Sequence, residues 1–383
     1  MRFLFTFTGG TGHFIPTAPF ARALAARGHT IKYACQESMV SVVRSEGWDA
    51  VASGGSTLLK PDQRRPLAPL NRAAERDVVR RFFAGEVARE RAGRLLDVVR
   101  DYRPDVIVRD ELDFGAAVAA EACRVPHAAV IVIAAGGFLE PTVLAEPLAL
   151  LRAEYGLADD GLAMLHRHLT LVPVPPSFRD PLDPVPSTAR YVRPAVLNGD
   201  QSSDWRPHAT AGPPRVYFTL GTIFHQESGD LFQRVLSGLS SLPAEIVVSV
   251  GNEIDPAELG PQPPNVHVER FVDAGSTLSR CDLVVSHAGS GTVVGALAFG
   301  LPQVLLPLGA DQPLNADRCI ALGVAVVLNA STANGQEIRH AVRTVLEDRS
   351  FQINALRVRD EIRSLPGTAQ AAELLEMLAV PRS

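Results

Sequence analysis

The chain has 383 residues, of which 46% are hydrophobic, and this is enough to bury the cores of two domains. Its net charge is -5, with both signs scattered along the sequence, so it has no basic stripe of the kind that nucleic-acid binding needs. The four cysteines are far apart, with no CxxC spacing and no His at zinc-ligand spacing, so we expect neither disulfides nor a structural metal.

No segment of the sequence has the length of a signal peptide core or of a membrane span. The apolar residues at the N-terminus run only from Phe3 to Phe7 before two glycines follow. The longest later apolar run, residues 128–139, is about 12 residues long, whereas a span needs roughly 20. We therefore expect a soluble cytoplasmic protein without a membrane span.

Strands and helices alternate through the first half of the chain. The residue pattern predicts helices over residues 16–27 and 77–102, and the dense mixed charge of the second helix indicates a solvated face. Residues 53–76 are predicted to form a surface loop. The predicted strands are residues 2–7, 30–34, 105–109 and 128–133. This alternation is typical of a parallel sheet wrapped by helices.

A proline-rich stretch separates the two halves. About a third of the chain's 29 prolines lie between Pro173 and Pro214, which is typical of an interdomain linker. We place the first domain at residues 1–200, the linker at 201–213 and the second domain at 214–365. The remaining residues, 366–383, contain an amphipathic helix that we expect to pack back on the first domain.

The second half repeats the alternation and predicts another doubly wound domain. Its predicted strands are residues 215–219, 245–250, 265–268, 282–285, 303–306 and 325–327. The most informative segment, residues 282–315, contains a strand, a Gly-rich turn, a helix and a second strand that ends in polar residues. The turn, Ala288 to Thr292, can place backbone N–H groups at a helix start, where the helix dipole favours a phosphate.

Polar residues around this turn point to a diphosphate site with groups suited to sugar hydroxyls beside it. His287 precedes the turn and can donate a hydrogen bond to a phosphate, while Asp311 and Gln312 follow the next strand and suit sugar hydroxyls. A lone GxG is more often a site of tight helix packing. Packing alone, however, does not require a His, a Ser and a Thr at the turn with an Asp-Gln pair after the next strand.

Several motifs in order along the chain resemble the GT-B glycosyltransferases, most closely the bacterial inverting enzymes that glycosylate natural products. They are GHFIP at residues 12–16, PDVIVRDELDFGAAVAAEACRVPH at 104–127, FTLGT at 218–222, PNVHVERF at 264–271 and CDLVVSHAGSGTVVGALAFGLPQVLLPLGADQPLNADR at 281–318. The resemblance implies two Rossmann-like domains facing across a cleft. It also implies that the N-terminal domain binds the acceptor and that the C-terminal domain binds a nucleoside diphosphate sugar.

The resemblance also implies a general base. His13 matches the family's catalytic His, and Asp110, at the end of a predicted strand, matches its carboxylate partner. An imidazole oriented by a carboxylate suits removal of a proton from an acceptor hydroxyl. Glu111 and Asp113 follow closely and are alternative partners for His13.

The remaining site residues follow from the same resemblance. We expect His287, Ser290, Gly291 and Thr292, together with Gly221 and Thr222, to bind the donor diphosphate without a metal or other cofactor. Asp311 and Gln312 match the pair that holds donor-sugar hydroxyls. Phe271 and Val272 match the segment that reads the nucleobase, but Asp273-Ala274 follows where family members commonly have Pro-Gln. The nucleotide, uridine or thymidine, is therefore left open.

The implied partners are a TDP- or UDP-sugar donor and a hydrophobic small-molecule acceptor. The acceptor-binding residues are not assigned, because Phe82, Phe83, Phe114 and Phe138 are each more typical of core than of a ligand contact. The oligomeric state and the acceptor are likewise left open.

Three other functions are alternatives to glycosyl transfer for a chain with these motifs. The glycine-rich start, residues 8–12, also matches the phosphate loop of short-chain dehydrogenases, but no Tyr-x-x-x-Lys motif occurs in the chain. A sugar-nucleotide 2-epimerase would share the architecture, and a catalytically silent homologue would share the binding site. The combination of His13 with Asp110 and the second-domain motifs favours transfer.

Overall fold

The protein contains two parallel β-sheets with helices packed against them. The computed structural model describes residues 1–55, 67, 69–194, 212–221, 228–251 and 254–379. Most of the predicted linker, residues 201–213, lies outside this described part, and so does Thr222. Within the described residues, no helix is both long and apolar enough to span a bilayer.

The first sheet has seven strands, all parallel, in the order β3-β2-β1-β4-β5-β6-β7. The strands are β1 (Arg2–Thr6), β2 (Thr30–Cys35), β3 (Asp49–Ala52), β4 (Val106–Asp110), β5 (His127–Val130), β6 (Leu169–Val172) and β7 (Ala189–Tyr191). The order reverses between β1 and β4. Loops that follow these two strands therefore diverge from a topological switch point, where ligands bind in doubly wound sheets.

The second sheet has six parallel strands in the order β10-β9-β8-β11-β12-β13. The strands are β8 (Arg215–Thr219), β9 (Glu245–Ser249), β10 (Val266–Glu269), β11 (Leu283–Ser286), β12 (Gln303–Leu305) and β13 (Ala325–Val327). This sheet has the same winding as the first, and its switch point lies between β8 and β11.

Helices connect the strands in both domains. In chain order they are α1 (Thr11–Phe14), α2 (Ala18–Ala26), α3 (Glu37–Ser45), α4 (Arg72–Asp77), α5 (Ala88–Tyr102), α6 (Phe114–Cys123), α7 (Pro141–Glu154), α8 (Leu231–Leu239), α9 (Ala274–Leu278), α10 (Ser290–Ala298), α11 (Gln312–Ala321), α12 (Gly335–Glu347), α13 (Arg349–Ser364) and α14 (Thr368–Leu378). A π-helical segment, Val78–Val87, joins α4 to α5. The predicted helix over residues 77–102 is thus continuous but changes its winding.

Alternating side chains of β1 bury both faces of the first sheet. Phe3 and Phe5 belong to one core cluster, whereas Leu4 belongs to another that contains residues of α5 and α6. Because successive side chains of a strand point to opposite faces, this division requires helices on both sides of the sheet. A buried strand explains why residues 3–5 are all apolar rather than alternating with polar residues.

The C-terminal helix packs on the first domain. Ala371, Ala372 and Leu375 of α14 lie in the same core cluster as residues of β1 and α2. The chain enters α14 next to the place where it first leaves the first domain. The Arg193 N–H donates to the Pro366 carbonyl there at 2.7 Å. The two passages of the chain between the domains thus lie side by side.

One prediction about a loop was wrong in part. Residues 72–76 were predicted as loop but belong to α4, because the Asn71 side chain accepts hydrogen bonds from the Ala73 and Ala74 N–H groups and so caps a helix there. The proline-rich stretch that begins at residue 173 contains β7, at the edge of the first sheet and within the predicted first domain. Prolines are tolerated beside an edge strand because they lack an N–H and no further strand needs one there.

The solvated face predicted for the charged helix also has an exception. Arg91 of α5 is fully buried and bonds to both carboxylate oxygens of Asp113, with Nε 2.9 Å from Oδ1. It also donates to Ser53 Oγ at 3.1 Å. A buried charged side chain needs such partners. A run of mixed charges in the sequence does not reveal which of its side chains has them.

Candidate active site

His13 and Asp110 form a hydrogen-bonded pair at the switch point of the first sheet. His13 lies on α1, immediately after β1, and Asp110 is the last residue of β4, which pairs with β1. Nδ1 of His13 is 2.8 Å from Oδ2 of Asp110. The His13 side chain is 19% exposed and that of Asp110 is fully buried. Nδ1 is thus held by the carboxylate, and the partly exposed ring keeps Nε2 for another partner.

Backbone groups fix the Asp110 carboxylate. Oδ2 accepts from the Thr8 N–H at 3.1 Å, and Oδ1 accepts from the Asp113 N–H at 2.6 Å. Both oxygens are therefore bonded, so the carboxylate cannot rotate freely. Gly9 makes room for the ring, because a Cβ at this position would lie 2.6 Å from Cδ2 of His13, and its φ of +117° also favours glycine.

The surroundings raise the pKa of His13. Burial lowers it, but the hydrogen bond and the charge of Asp110 outweigh burial, and the charges of Asp311 and Glu111 act in the same direction. Asp311 belongs to the second domain, so its field reaches the imidazole from across the cleft. The two halves of the candidate site therefore influence each other electrostatically.

Glu111 and Asp113, the alternative partners of His13, have other partners. Asp113 pairs with the buried Arg91 and caps α6 by accepting from the Ala116 N–H. Glu111 Oε1 accepts from the N–H groups of Val132 and Ile133 at 2.7 and 2.5 Å. Burial raises the pKa of Glu111 to about 7. Of the three carboxylates, the structure brings only Asp110 into contact with His13.

In the second domain, His287 lies between two glycine-containing loops at the switch point. A Cβ at Gly221, after β8, would lie 2.6 Å from Cε1 of His287, and a Cβ at Gly289 would overlap Nε2. Gly221 also has a φ of +73°. Both positions require glycine so that the imidazole can sit between β8 and β11. The structure thus brings Gly221 and His287 together.

Helix α10 begins three residues earlier than the sequence predicted. Ser290, Gly291 and Thr292 form its first turn, with Gly289 as an N-cap that provides no side-chain hydrogen bond. The first N–H groups of a helix have no partner within the helix, so they can bind an anion here. A Cβ at Gly291 would meet no atom within 4 Å, so open space adjoins this turn.

The Ser290 side chain is occupied by protein groups. Its hydroxyl donates to Asp311 Oδ2 at 2.6 Å and accepts from Asn315 Nδ2 at 3.2 Å and from the Ala134 N–H at 2.8 Å. A hydroxyl has one donor and two acceptor sites, so its capacity is used. Of the groups predicted to meet the diphosphate, Ser290 therefore offers its backbone N–H rather than its hydroxyl.

Asp311 and Gln312 follow β12 and begin α11. Gln312 is buried, and its Oε1 accepts from the Leu308 and Gly309 N–H groups at 2.7 and 3.2 Å, which holds the preceding loop. Burial raises the pKa of Asp311, and hydrogen bonds from Ser290 and Asn315 oppose that effect. The direct contact of this pair with a sugar stays a prediction.

Asn315 was missed by the sequence analysis. It is fully buried, and its Nδ2 donates to the Ala288 carbonyl at 2.9 Å and to Asp311 Oδ2 at 2.8 Å. Ala288 has a φ of +67°, which is costly for a residue with a side chain, so the contact from Asn315 stabilises a strained turn. The spacing of four residues from Asp311 on one helix was the available signal.

The predicted nucleobase residues lie beyond β10. Phe271 is 74% exposed, whereas Val272 packs beside a cluster between β11 and α10. Asp273, at the departure from the family pattern, accepts from the Ser276 N–H and caps α9. Asp273 therefore has a local structural role of its own.

The aromatic residues with unassigned roles separate into two groups. Phe114 is fully buried in the core. Phe83 and Phe138 are partly buried and pack against Leu112, Val132 and Ile133. Leu112 follows Glu111 in the chain, and the N–H groups of Val132 and Ile133 donate to the Glu111 carboxylate. No cluster of three or more His, Cys, Asp or Glu that could hold a metal occurs within the described residues.

Comparison with known proteins identifies the family. Residues 233–378 match the model of the erythromycin biosynthesis protein CIII-like C-terminal domain. The L-demethylnoviosyl transferase of Streptomyces niveus is 31% identical over 385 residues, covering 97% of both chains. The 4'-demethylrebeccamycin synthase of Lentzea aerocolonigenes is 29% identical and covers 98% of this chain and 99% of its own.

Solved structures agree with this result. The glycosyltransferase SnogD from Streptomyces nogalater is 28% identical, with a TM-score of 0.72 and 99% of each chain covered. The spinosyn rhamnosyltransferase SpnG, solved in complex with thymidine diphosphate, shares the fold at 23% identity with a TM-score of 0.80, covering 98% of this chain and 100% of its own. The predicted α/β class with two doubly wound domains is confirmed. The chain therefore belongs to the bacterial natural-product glycosyltransferases of the GT-B fold.

Proposed function

We propose that this glycosyltransferase moves a sugar, with inversion, from a TDP- or UDP-sugar to a hydroxyl of an apolar natural-product aglycone, with His13 as the general base. The observation that carries the proposal is the His13–Asp110 pair at one switch point, facing Asp311 from the other domain. A sugar held at Asp311 would present its anomeric carbon toward the acceptor hydroxyl that His13 deprotonates.

His13 acts through Nε2 in this proposal. Asp110 holds Nδ1 and stabilises the imidazolium that forms when Nε2 takes the hydroxyl proton. The attacking oxygen forms a bond to the anomeric carbon as the bond to the diphosphate oxygen breaks. A neutral imidazole is the active form, and the raised pKa of His13 strengthens it as a base.

The order of the second sheet supports the placement of the donor. Phe271 follows β10, Gly221 follows β8, His287 follows β11 and Asp311 follows β12. Three strand spacings, about 14 Å, separate β10 from β11. The base would lie beside Phe271, the diphosphate at His287 and the α10 start, and the sugar at Asp311. The developing charge on the diphosphate would be stabilised by the first N–H groups of α10, without a metal.

We infer that the nucleotide is thymidine diphosphate and that the acceptor lies against Phe83 and Phe138. SpnG and VinC, both of this fold, have been solved with thymidine diphosphate, which supports the first inference. The partly buried apolar cluster beside Glu111 supports the second. The relatives described above favour neither the epimerase nor the silent homologue. The cytoplasmic location stays a prediction.

A nucleotide panel followed by a transfer assay tests this proposal. TDP, UDP and GDP are titrated calorimetrically with and without EDTA, and we expect TDP to bind most tightly and EDTA to have no effect. His287→Ala should weaken TDP binding by about 1 to 3 kcal/mol, the value of a hydrogen bond to a charged group. Mass spectrometry then detects transfer from TDP- and UDP-sugars to aromatic and macrolide aglycones. Loss of TDP binding in EDTA, or no transfer from any donor, would contradict the proposal.

A further inference from the structure

The loop that follows β5 connects the two halves of the candidate site through four successive backbone N–H groups. Those of Val132 and Ile133 donate to Glu111 Oε1, one residue after Asp110. The next two cross to the second domain. Ala134 donates to Ser290 Oγ at 2.8 Å, and Ala135 donates to Asn315 Oδ1 at 3.1 Å.

Asn315 organises the second-domain end of this connection. Its side-chain oxygen accepts from the first domain, while its amide nitrogen donates to Asp311 Oδ2 and to the strained turn at Ala288. Ser290 makes a parallel connection from Ala134 to the same oxygen of Asp311. We define the Asn315 network as Asn315, Ser290, Asp311 and the Ala134 and Ala135 N–H groups.

We propose that Asn315 is a positioning residue for transfer, which fixes the Asp311 carboxylate relative to the loop after β5 and so to the His13–Asp110 pair. The proposal rests on the proposed function. When the domains are closed, this network holds the donor-sugar half and the acceptor half of the site in a single relative position.

The chemical identity of Asn315 supports a specific role. An Asp at this position would keep the acceptor for the Ala135 N–H but place a second carboxylate oxygen beside Asp311. A Leu would fill the space without any polar group. An amide donates to the Asp311 carboxylate through its nitrogen and accepts from the Ala135 N–H through its oxygen, so Asn315 reaches both partners at once. The interdomain hydrogen bond from Ser177 Oγ to Glu361, by contrast, involves no candidate site residue.

The variants Asn315→Ala, Asn315→Asp and Ser290→Ala test this role. We expect kcat for transfer to fall on the order of 10²-fold in Asn315→Ala, because small misplacements of reacting groups have costs of this size. TDP affinity should change less than about threefold, since the nucleotide is bound by other groups. Hydrolysis of the donor relative to transfer should rise, because water enters a cleft whose halves no longer meet.

Ser177→Ala is the matched control, since it removes an interdomain hydrogen bond away from the site. Its kcat and its ratio of hydrolysis to transfer should equal those of the wild type. Thermal unfolding of each variant establishes that the fold is retained. If Asn315→Ala does not fold, Ser290→Ala supplies the same readouts, because it removes the parallel connection from Ala134 to Asp311.

Hydrogen exchange of the peptide containing Ala134 and Ala135 supplies a readout that is independent of activity. In the presence of TDP, exchange should be slow in the wild type and in Ser177→Ala, and faster in Asn315→Ala, which removes the acceptor of the Ala135 N–H. An active wild type whose folded Asn315→Ala variant keeps its kcat and hydrolysis ratio would overturn the inference, as would loss of TDP binding in parallel with kcat. An inactive wild type with slow exchange at this peptide would contradict the proposed function instead.

Discussion

Nδ1 of His13 lies 2.8 Å from Oδ2 of Asp110, although 97 positions separate the two residues in the chain. The neighbouring parallel strands β1 and β4 bring them together, since both residues follow or end a strand at the same edge of the sheet. The carboxylate is held by the Thr8 and Asp113 N–H groups before any ligand binds. The pair is thus preorganised for proton transfer.

Removal of the imidazole should affect turnover far more than donor binding. We expect His13→Ala to lower kcat by roughly 10² to 10⁴, the usual cost of losing a general base. TDP affinity, measured by calorimetry, should stay unchanged because the donor is held in the other domain. The double variant with Asp110→Asn should be little worse than His13→Ala alone, since both changes act on one step. Near wild-type turnover of His13→Ala would rule out this role.

The pH dependence of kcat/KM should report the raised pKa of His13. In the proposed mechanism the neutral imidazole is the base, so activity should fall as the pH falls through this pKa, and a raised pKa moves that fall above the ordinary 6.5. Asp110→Asn removes the largest raising effect and leaves burial, which lowers the pKa. The acid limb of the Asp110→Asn profile should therefore move to lower pH. An unchanged limb would show that another group titrates.

A methyl group added at Gly291, at the start of α10, should weaken nucleotide binding without lowering the stability of the fold. A Cβ at Gly291 meets no protein atom within 4 Å, and we place the donor diphosphate beside it. Gly291→Ala should leave the unfolding temperature unchanged or slightly higher, while TDP affinity falls by about tenfold, or about 1.4 kcal/mol. Gly367→Ala is the control, because its Cβ is equally free of contacts and lies at α14. Equal TDP affinity in both variants would argue against this placement.

We expect the C-terminal helix, α14, to contribute to the free energy of unfolding through its packing on the core of the first domain. Leu375 is fully buried against that core, whereas Met377 in the same helix is 60% exposed. Leu375→Ala should cost about 2 to 5 kcal/mol in the free energy of unfolding, and Met377→Ala should cost less than about 1 kcal/mol. Urea unfolding followed by tryptophan fluorescence measures both. Similar costs for the two changes would place α14 outside the core.

Much of the fold could be predicted because strand patterns and loop motifs are local. Every strand predicted from its apolar pattern is present, with ends that differ by at most three residues. Strands β3, β6 and β7 were missed because each has only three or four residues. Burial of Arg91 was missed because its partner, Asp113, lies on another element.

The candidate site was only partly predictable for a similar reason. His13, Asp110 and His287 lie at strand ends, where a parallel sheet brings polar residues together by a general rule. Asp110 was favoured over Glu111 and Asp113 only by its place at the strand end that matches the motif, because the sequence does not show that other groups hold Glu111 and Asp113. Asn315 bonds to a loop 180 residues away, and no pattern along the chain carries such a contact.

The adjacent passages of the chain between the domains have a mechanical consequence. Arg193 donates from its backbone N–H to Pro366 and from its guanidinium to the Arg363 and Leu365 carbonyls, so the outgoing and returning segments are tied together. When the cleft opens or closes, we expect these two tied segments to bend together. Cleavage of the first connection by a protease would leave two fragments held together by non-covalent contacts, among them the packing of α14, which belongs to the second fragment, on the first domain.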